Sequence, residues 1–486
     1  MAPLACLLRQ QGHQVSGSDG VLYPPMSDLL AGAGIAPYVG FDGERLRGLA
    51  AGGPDAPAYD LVVVGNAVPR TNPEALVVEG GVIERISMPQ AIARFLLEGR
   101  RPLVVTGTHG KTTTTSMAAW VYRELGADPG YLIGGWPIGL PGSFAIGGGD
   151  RFVLEGDEYN AAYFDRGAKF LHYRAETAIV TSVEWDHADL YPDPESFRAA
   201  FARLVSQLPR EGHLIACVDE AAVAELADRA PCAVTRYGFG PGAEVRIGPL
   251  SDDEHGTRFE LRGDSPLLEG RERRLRLRVW GGHNAANATA VWCAARRDGF
   301  DHERIEAALA GFAGVRRRLE EVARVPAGPF TSASGASSGR SQPGDIVLVD
   351  DFAHHPTEVA KSIDGLRRRH PDRRVVVAFE PRSLSAGRAV LHEAYRKAFA
   401  TADLVVLAPI FHAGRLAAEE RLDLDRLVAE LRRDGVEAWS CGGEEIASLL
   451  MRELRPGDVV ATMSSGSFDG LIRVLRDELL EASRAG

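Results

Sequence analysis

The chain has 486 residues, a length that suits two to four domains. Hydrophobic residues make up 45% and charged residues 25%, so each domain can bury a core and wholesale disorder is excluded. Lys plus Arg is 55 against 66 for Asp plus Glu, a net charge of -11 that excludes a general nucleic-acid binder but not a site for small anions held by backbone N–H groups.

The first block, 1–100, alternates strand-like runs at 14–16 and 61–64 with helical stretches, which is α/β grammar. The second, 101–314, opens on the apolar run 102–106, passes a Gly-rich turn and predicts a helix from about 112 to 125. Met117, Trp120, Val121 and Leu125 fit one face of that helix, and Gly126 suits its end. Runs at 152–154 and 178–180 predict parallel strands buried on both faces. The third block, 315–486, has strands at 346–349, 375–378, 404–407 and 459–461, again in doubly wound style. Its Ser/Gly/Pro-rich segment 326–344 cannot support a core and is expected to be a flexible surface insertion. Cys6, Cys217, Cys232, Cys293 and Cys441 form no CxxC pair, so neither a disulfide framework nor a thiolate zinc site is expected. The N-terminus lacks a targeting pattern, and no apolar run reaches the ~18 residues of a membrane span. The expectation is a cytoplasmic, monomeric chain with no nucleic-acid or membrane partner.

The strongest motif is Thr106-Gly107-Thr108-His109-Gly110-Lys111-Thr112-Thr113, set between an apolar strand and a helix start. Glycines let backbone N–H groups curl around phosphate oxygens, Lys111 reaches the terminal phosphates, and the Thr112 hydroxyl can ligate Mg²⁺. Val105 stands where the strict phosphate-loop pattern has glycine, so this is a variant loop. As a loop lysine expected to face solvent, Lys111 should be removable without harm to the fold. Glu155, Asp157 and Glu158 follow the next strand, where a metal-holding carboxylate belongs, although a solvated acidic turn would look the same. Past another strand lie Glu184-Trp185-Asp186-His187, with His187 a candidate for a second metal. Further weak clusters are Gly281-Gly282-His283-Asn284-Ala285-Ala286-Asn287 before an Ala-rich helix, Arg316-Arg317-Arg318, and Asp350-Asp351-Phe352-Ala353-His354-His355-Pro356.

Taken in order, GTHGKTT, EGDEY, EWDHADLY, GGHNAAN, GVRRRLE, DDFAHHPTE and MSSGSF resemble the Mur ligase family along essentially the whole chain. The resemblance implies a three-domain α/β architecture: a Rossmann-like N-terminal domain whose first strand and Gly-rich loop are not found ahead of residue 4, a central P-loop ATPase-type domain, and a Rossmann-like C-terminal domain. It implies that 1–100 binds a UDP-sugar, 101–314 binds ATP, and 315–486 closes over them with the incoming amine. The absent first strand leads to two expectations: a start upstream of residue 1, or an incomplete sugar site with apolar surface uncovered.

By the resemblance, Gly107, Thr108, His109, Gly110, Lys111, Thr112 and Thr113 cradle the phosphates. Thr112, Glu155, Glu158 and His187 are the metal candidates, with Glu155 first for Mg²⁺. His283 and Asn284 meet the adenine, Arg318 the γ-phosphate and Asp351 the ribose. Asp19, His354, Arg382 and Ser383 contact the substrates, and Lys111, His187 and Arg318 are catalytic. The implied reaction is ATP-dependent joining of UDP-N-acetylmuramate to the murein tripeptide L-alanyl-γ-D-glutamyl-meso-diaminopimelate through an acyl phosphate. The features behind that branch include Tyr23-Pro24-Pro25-Met26-Ser27 and Phe379-Glu380-Pro381-Arg382-Ser383. Addition of L-alanine is the first alternative, and a nucleotide-binding homologue without ligase activity is the second. No lysine lies in 197–203, so a carbamate-bridged second metal is not expected, and the Asp-Asn-Pro-Arg motif of the stepwise diaminopimelate-adding relative is absent.

Overall fold

In the strand Arg101–Thr106, Leu103 and Val105 face one side of a sheet and Val104 the other, and all three are fully buried. A strand covered on both faces needs helices on both. Lys111–Glu124 and Gly282–Arg297 cover the first side, while Met88–Phe95 and Pro194–Ser206 cover the second. The computed structural model describes residues 1–52, 58–187, 190–326 and 344–485. The predicted insertion lies, apart from Pro326 and Gly344, outside the described residues.

Among the described residues the central sheet has eleven strands. Its parallel core runs in the order Ala233–Gly238, His213–Cys217, Thr177–Val180, Arg101–Thr106, Arg151–Gly156, Gly130–Leu132. Antiparallel strands extend both edges. A six-stranded sheet follows: Glu320–Val325 pairs antiparallel with Ile346–Asp351, and then Val459–Met463, Val375–Phe379, Leu404–Leu407 and Glu437–Ser440 run parallel to it. Two apolar clusters again sandwich this sheet. The α/β architecture expected from the sequence is therefore the one observed.

Among the described residues the N-terminal block carries two separate parallel pairs, Ser18–Asp19 with Tyr38–Val39 and Leu61–Val64 with Glu84–Ser87. The strand expected at 14–16 is not one. Val15 packs against the core, but pairing begins only beyond it, where the Gly17 and Asp19 carbonyls accept from the Tyr38 and Gly40 N–H groups at 2.8 and 2.7 Å. Val15 is only half-buried and its neighbours Gln14 and Ser16 are exposed, so the run has one inward residue and no ladder partner. Val21, Tyr23 and Val39 stand exposed in this region.

The helix after the Gly-rich turn starts at Lys111, and Met117, Val121 and Leu125 are buried as expected. Trp120 is half-buried and donates its indole N–H to the Ala308 carbonyl at 2.8 Å. Gly126, at a φ of 82°, ends the helix in the left-handed region. No helix among the described residues is long and apolar enough to cross a membrane.

Candidate active site

The turn at 107–110 lies at the carboxyl end of the central strand, against the end of its neighbour Thr177–Val180. Gly107 has a φ of 133°, and a Cβ there would collide with Thr181 Oγ1 and the Ser182 backbone. Gly110, at φ 82°, would meet Asn287 Oδ1 at 2.8 Å. Both positions therefore require glycine. The turn is held open by its neighbour: Thr108 N donates to Ser182 O at 3.1 Å, His109 N to Ser182 Oγ at 2.9 Å, and Thr181 Oγ1 to His109 O at 2.6 Å.

Lys111 does not face solvent. Its side chain is only 10% exposed, Nζ donates to Gly107 O at 2.6 Å, and Glu158 Oε2 lies 3.0 Å away. The expectation of a removable surface lysine is corrected on this point, because the loop folds the ammonium back onto an acidic strand end. Burial pulls the Lys111 pKa down, but Glu158, Asp157 and Glu155 outweigh it and the pKa is raised. Glu158, 1% exposed, also lies 3.0 Å from His187 Nε2. Burial pushes its carboxyl up, and Lys111 and His187 hold it below the usual carboxylate range. His187 has a left-handed φ of 54° and donates its N–H to Asp186 Oδ1 at 2.6 Å. Such a backbone in a non-glycine residue costs of order 1 kcal/mol or more, which marks functional segments.

Glu155 differs from its neighbours. Thr112 Oγ1 donates to Glu155 Oε1 and Gly134 N to Oε2, each at 2.7 Å, but no cation among the described residues pairs with it. Burial first, and Asp157 second, push its pKa up. Asp157 itself takes Lys169 at 3.1 Å. A buried carboxylate lacking a cation, with a hydroxyl beside it, is a donor set that fits a hard divalent ion such as Mg²⁺.

Across from this loop, the third block presents its own strand ends. Asp351 is 3% exposed and accepts from Leu319 N at 2.8 Å, Ala353 N at 2.7 Å and Ser362 Oγ at 3.2 Å. Burial pushes its pKa up to about 6. With both oxygens engaged, Asp351 braces the turn that carries Arg318. Arg318 lies over the Phe352 ring at 4.9 Å and 3.8 Å from Glu358. Arg317, one residue earlier, donates to Ser464 O at 2.8 Å and pairs with Asp350 at 3.2 Å.

Arg382 pairs with Glu380 at 3.3 Å and stacks 3.8 Å over Phe411. Its guanidinium fills the space that a Cβ on Gly466 would need. Ser383 Oγ accepts from Ala386 N at 3.0 Å. His354 faces Glu358 at 3.3 Å. His283 is pushed down to about 4 by burial and by Lys361, and it sits against the helix Pro356–Arg369. Asn284 donates to Trp280 O at 2.8 Å, while Asn287, expected with it towards an adenine edge, is the residue that approaches Gly110. Asp19 lies apart from this cluster, exposed, accepting from Gly20 N at 2.8 Å.

The structure also joins residues that the sequence left unpaired. His109 Nε2 is 2.8 Å from Glu184 Oε2, its Nδ1 is 3.5 Å from Glu358 Oε1, and its ring lies 4.9 Å from that of His355. Thr357 Oγ1 donates to Glu184 Oε2 at 2.7 Å. Phosphate loop and third block thus meet directly. Glu184, His355 and Glu358 all lie inside quoted motifs, but only the folded chain brings them together.

The sequence matches the Mur ligase family catalytic domain over residues 1–100, the Mur ligase middle domain over 105–295 and the Mur ligase glutamate ligase domain over 338–466. It is 32% identical to the UDP-N-acetylmuramate–L-alanyl-gamma-D-glutamyl-meso-2,6-diaminoheptandioate ligase of Escherichia coli, with 100% of this chain and 97% of that one covered. It is 35% identical to the UDP-N-acetylmuramate–L-alanine ligase of Rubrobacter xylanophilus, covering 96% and 94%. The crystal structure of a murein peptide ligase from Psychrobacter arcticus superposes with a TM-score of 0.69 at 28% identity, covering 99% and 96%.

Proposed function

This chain belongs to the Mur ligase family of ATP-dependent ligases that form ADP and phosphate, and from that premise we propose that it joins UDP-N-acetylmuramate to the tripeptide L-alanyl-γ-D-glutamyl-meso-diaminopimelate. The observation that carries the finer reading is the whole-length likeness to the E. coli enzyme of that name, seconded by the Psychrobacter structure. Addition of L-alanine is the second reading, favoured by the slightly higher identity to the Rubrobacter enzyme.

A carboxylate is a poor electrophile, and ATP supplies the phosphoryl group that converts it to an acyl phosphate; the amine then attacks and phosphate leaves. Positioning and charge neutralisation do most of the work in such transfers. Lys111, kept charged by its acidic neighbours, exchanges Glu158 for phosphate oxygens, while the N–H groups of 107–113 cradle the rest. Thr112 and Glu155 would hold Mg²⁺, which would offset the charge gathering on the phosphates. Glu158, once Lys111 has turned to the phosphates, still holds His187, which faces the sugar acid. Arg318 meets the transferring phosphate, and His283 with Asn284 lines the adenine edge. A ribose contact from Asp351 would need its turn to open, so its role is to hold Arg318. His354, Arg382 and Ser383 receive the amine substrate, and Asp19 belongs to the UDP-sugar side. The first block binds the sugar nucleotide, the second ATP, and the third closes on both.

Phosphate release by the purified chain with ATP, Mg²⁺ and UDP-N-acetylmuramate tests this, with tripeptide and L-alanine supplied separately. The tripeptide should give the higher kcat/KM. A preference for L-alanine establishes the second reading, and hydrolysis that ignores both amines removes the ligase mechanism for this chain.

A further inference from the structure

We propose that His109, Glu184 and His355 form a binding site for a transition-metal ion of the zinc class, fastening the phosphate loop to the third block; this goes beyond the ligase reaction and is separate from the Mg²⁺ site. One ligand atom from each residue lies within 4.8 Å of the other two. Tetrahedral zinc, with bonds of about 2.0–2.2 Å, sets its ligand atoms roughly 3.4 Å apart. His109 Nε2 and Glu184 Oε2, now 2.8 Å apart, would part slightly, and the His355 ring, whose Nδ1 is 4.0 Å from that oxygen, would move in, both within the reach of side-chain rotation. Both imidazoles are buried, at 6% and 5% exposure, and Glu184 is half-open, which leaves a fourth position for water.

The surroundings are those of a metal site. Glu358 Oε1 stands 3.5 Å behind His109 Nδ1, a buried nitrogen with no hydrogen-bond partner among the described residues. A carboxylate behind the second nitrogen of a metal-bound histidine fixes its orientation. Thr357 Oγ1 donates to both Glu184 oxygens, at 2.9 and 2.7 Å, and so orients that carboxylate. His355 is held towards its neutral form, the one that ligates, by burial and by His109. Two nitrogen donors disfavour Mg²⁺ and favour zinc, whereas the all-oxygen pair Thr112 and Glu155 does the reverse. Binding displaces to solvent the proton that His109 otherwise shares with Glu184. Because His355 precedes the helix Pro356–Arg369 and His109 lies in the loop, an ion there staples the closed arrangement.

The test is equilibrium dialysis of the full chain against Zn²⁺ in excess Mg²⁺, with Co²⁺ ligand-field absorption as a second readout. One equivalent should bind. His355→Asn, which keeps an acceptor for the Thr357 N–H but removes the imidazole, should weaken binding at least ~10-fold, and Glu155→Gln should leave it unchanged. Thermal melting checks that the variants fold, and Glu184→Gln provides the same reading should His355→Asn not. The proposal is overturned by the absence of stoichiometric binding, by undiminished binding in His355→Asn or Glu184→Gln, or by its loss in Glu155→Gln.

Discussion

Arg151 and Glu155 stand at opposite ends of one strand, Arg151–Gly156, and the chain treats them in opposite ways. At the amino end Arg151 is enclosed by Asp298 and Glu176, Tyr122 donates its hydroxyl to Asp298 at 2.6 Å, and Arg101 reaches Glu176 and Asp298 at 3.1 Å each. Apart from Asp150, which meets Arg101 from solvent at 3.5 Å, two arginines there face two carboxylates. At the carboxyl end Glu155, Asp157 and Glu158 crowd together, Lys111 and Lys169 serve two of them, and Glu155 keeps only a hydroxyl and a backbone N–H. A closed ion network holds a fold; an unbalanced one, equally buried, holds a place for a ligand.

The comparison is most exposed to Lys111→Ala. Turnover should fall by at least about 100-fold, and stability should fall as well, because Glu158 is left buried with His187 alone. Phosphate release and urea unfolding measure the two losses, and a stable variant would show that the lysine is not part of a buried pair. Arg151→Met should cost about 3 kcal/mol by urea unfolding, since Asp298 is left with Arg101 and the Tyr122 hydroxyl alone, while kcat of the folded enzyme is unchanged. A drop in kcat instead would erase the distinction between the two ends.

Glu155→Gln should cut turnover roughly 10-fold or more yet raise Tm. The sign follows from its raised pKa: the stability linked to protonating this group is full below the ordinary carboxylate range and lost as pH rises through the raised value. The Gln variant escapes that loss, so its advantage should appear at neutral pH and vanish in acid. Arg318→Ala should lower kcat more than it raises KM for ATP, separating it from the structural Arg317. Phe411→Ala, which removes the ring beneath Arg382, should raise KM for the amine only a few-fold and leave kcat alone, in keeping with the ~0.5–1 kcal/mol of an exposed cation–π contact.

Much of this was legible in the chain itself. Apolar runs such as 346–349 and 459–461 became buried parallel strands because both faces are covered, a condition that composition records directly. Gly107 and Gly110 announced the phosphate loop because no other residue tolerates their backbone and neighbours. What stayed hidden depends on contacts across long separations. The pairing of Lys111 with Glu158 turned a supposed surface lysine into a buried one. Of the adjacent His354 and His355, only the fold tells which approaches His109, because helix entry points successive side chains in different directions. The same holds for Arg317 and Arg318, which both lie over Phe352, the first tied to the Ser464 carbonyl and Asp350 and the second turned towards Glu358. For 14–16, the sequence marks Val15 as an inward residue but not the partner that a strand requires.

Gly466 has its own bearing on how such an enzyme can drift. Its smallness is imposed by the bulk of Arg382 lying where a methyl group would sit. An alanine at 466 would evict the guanidinium from its seat on Phe411, so on the proposed placement of the amine at Arg382 a change in the turn behind it would be felt as a poorer grip on that substrate. Selection on the choice of amine can thus act through a residue with no side chain of its own.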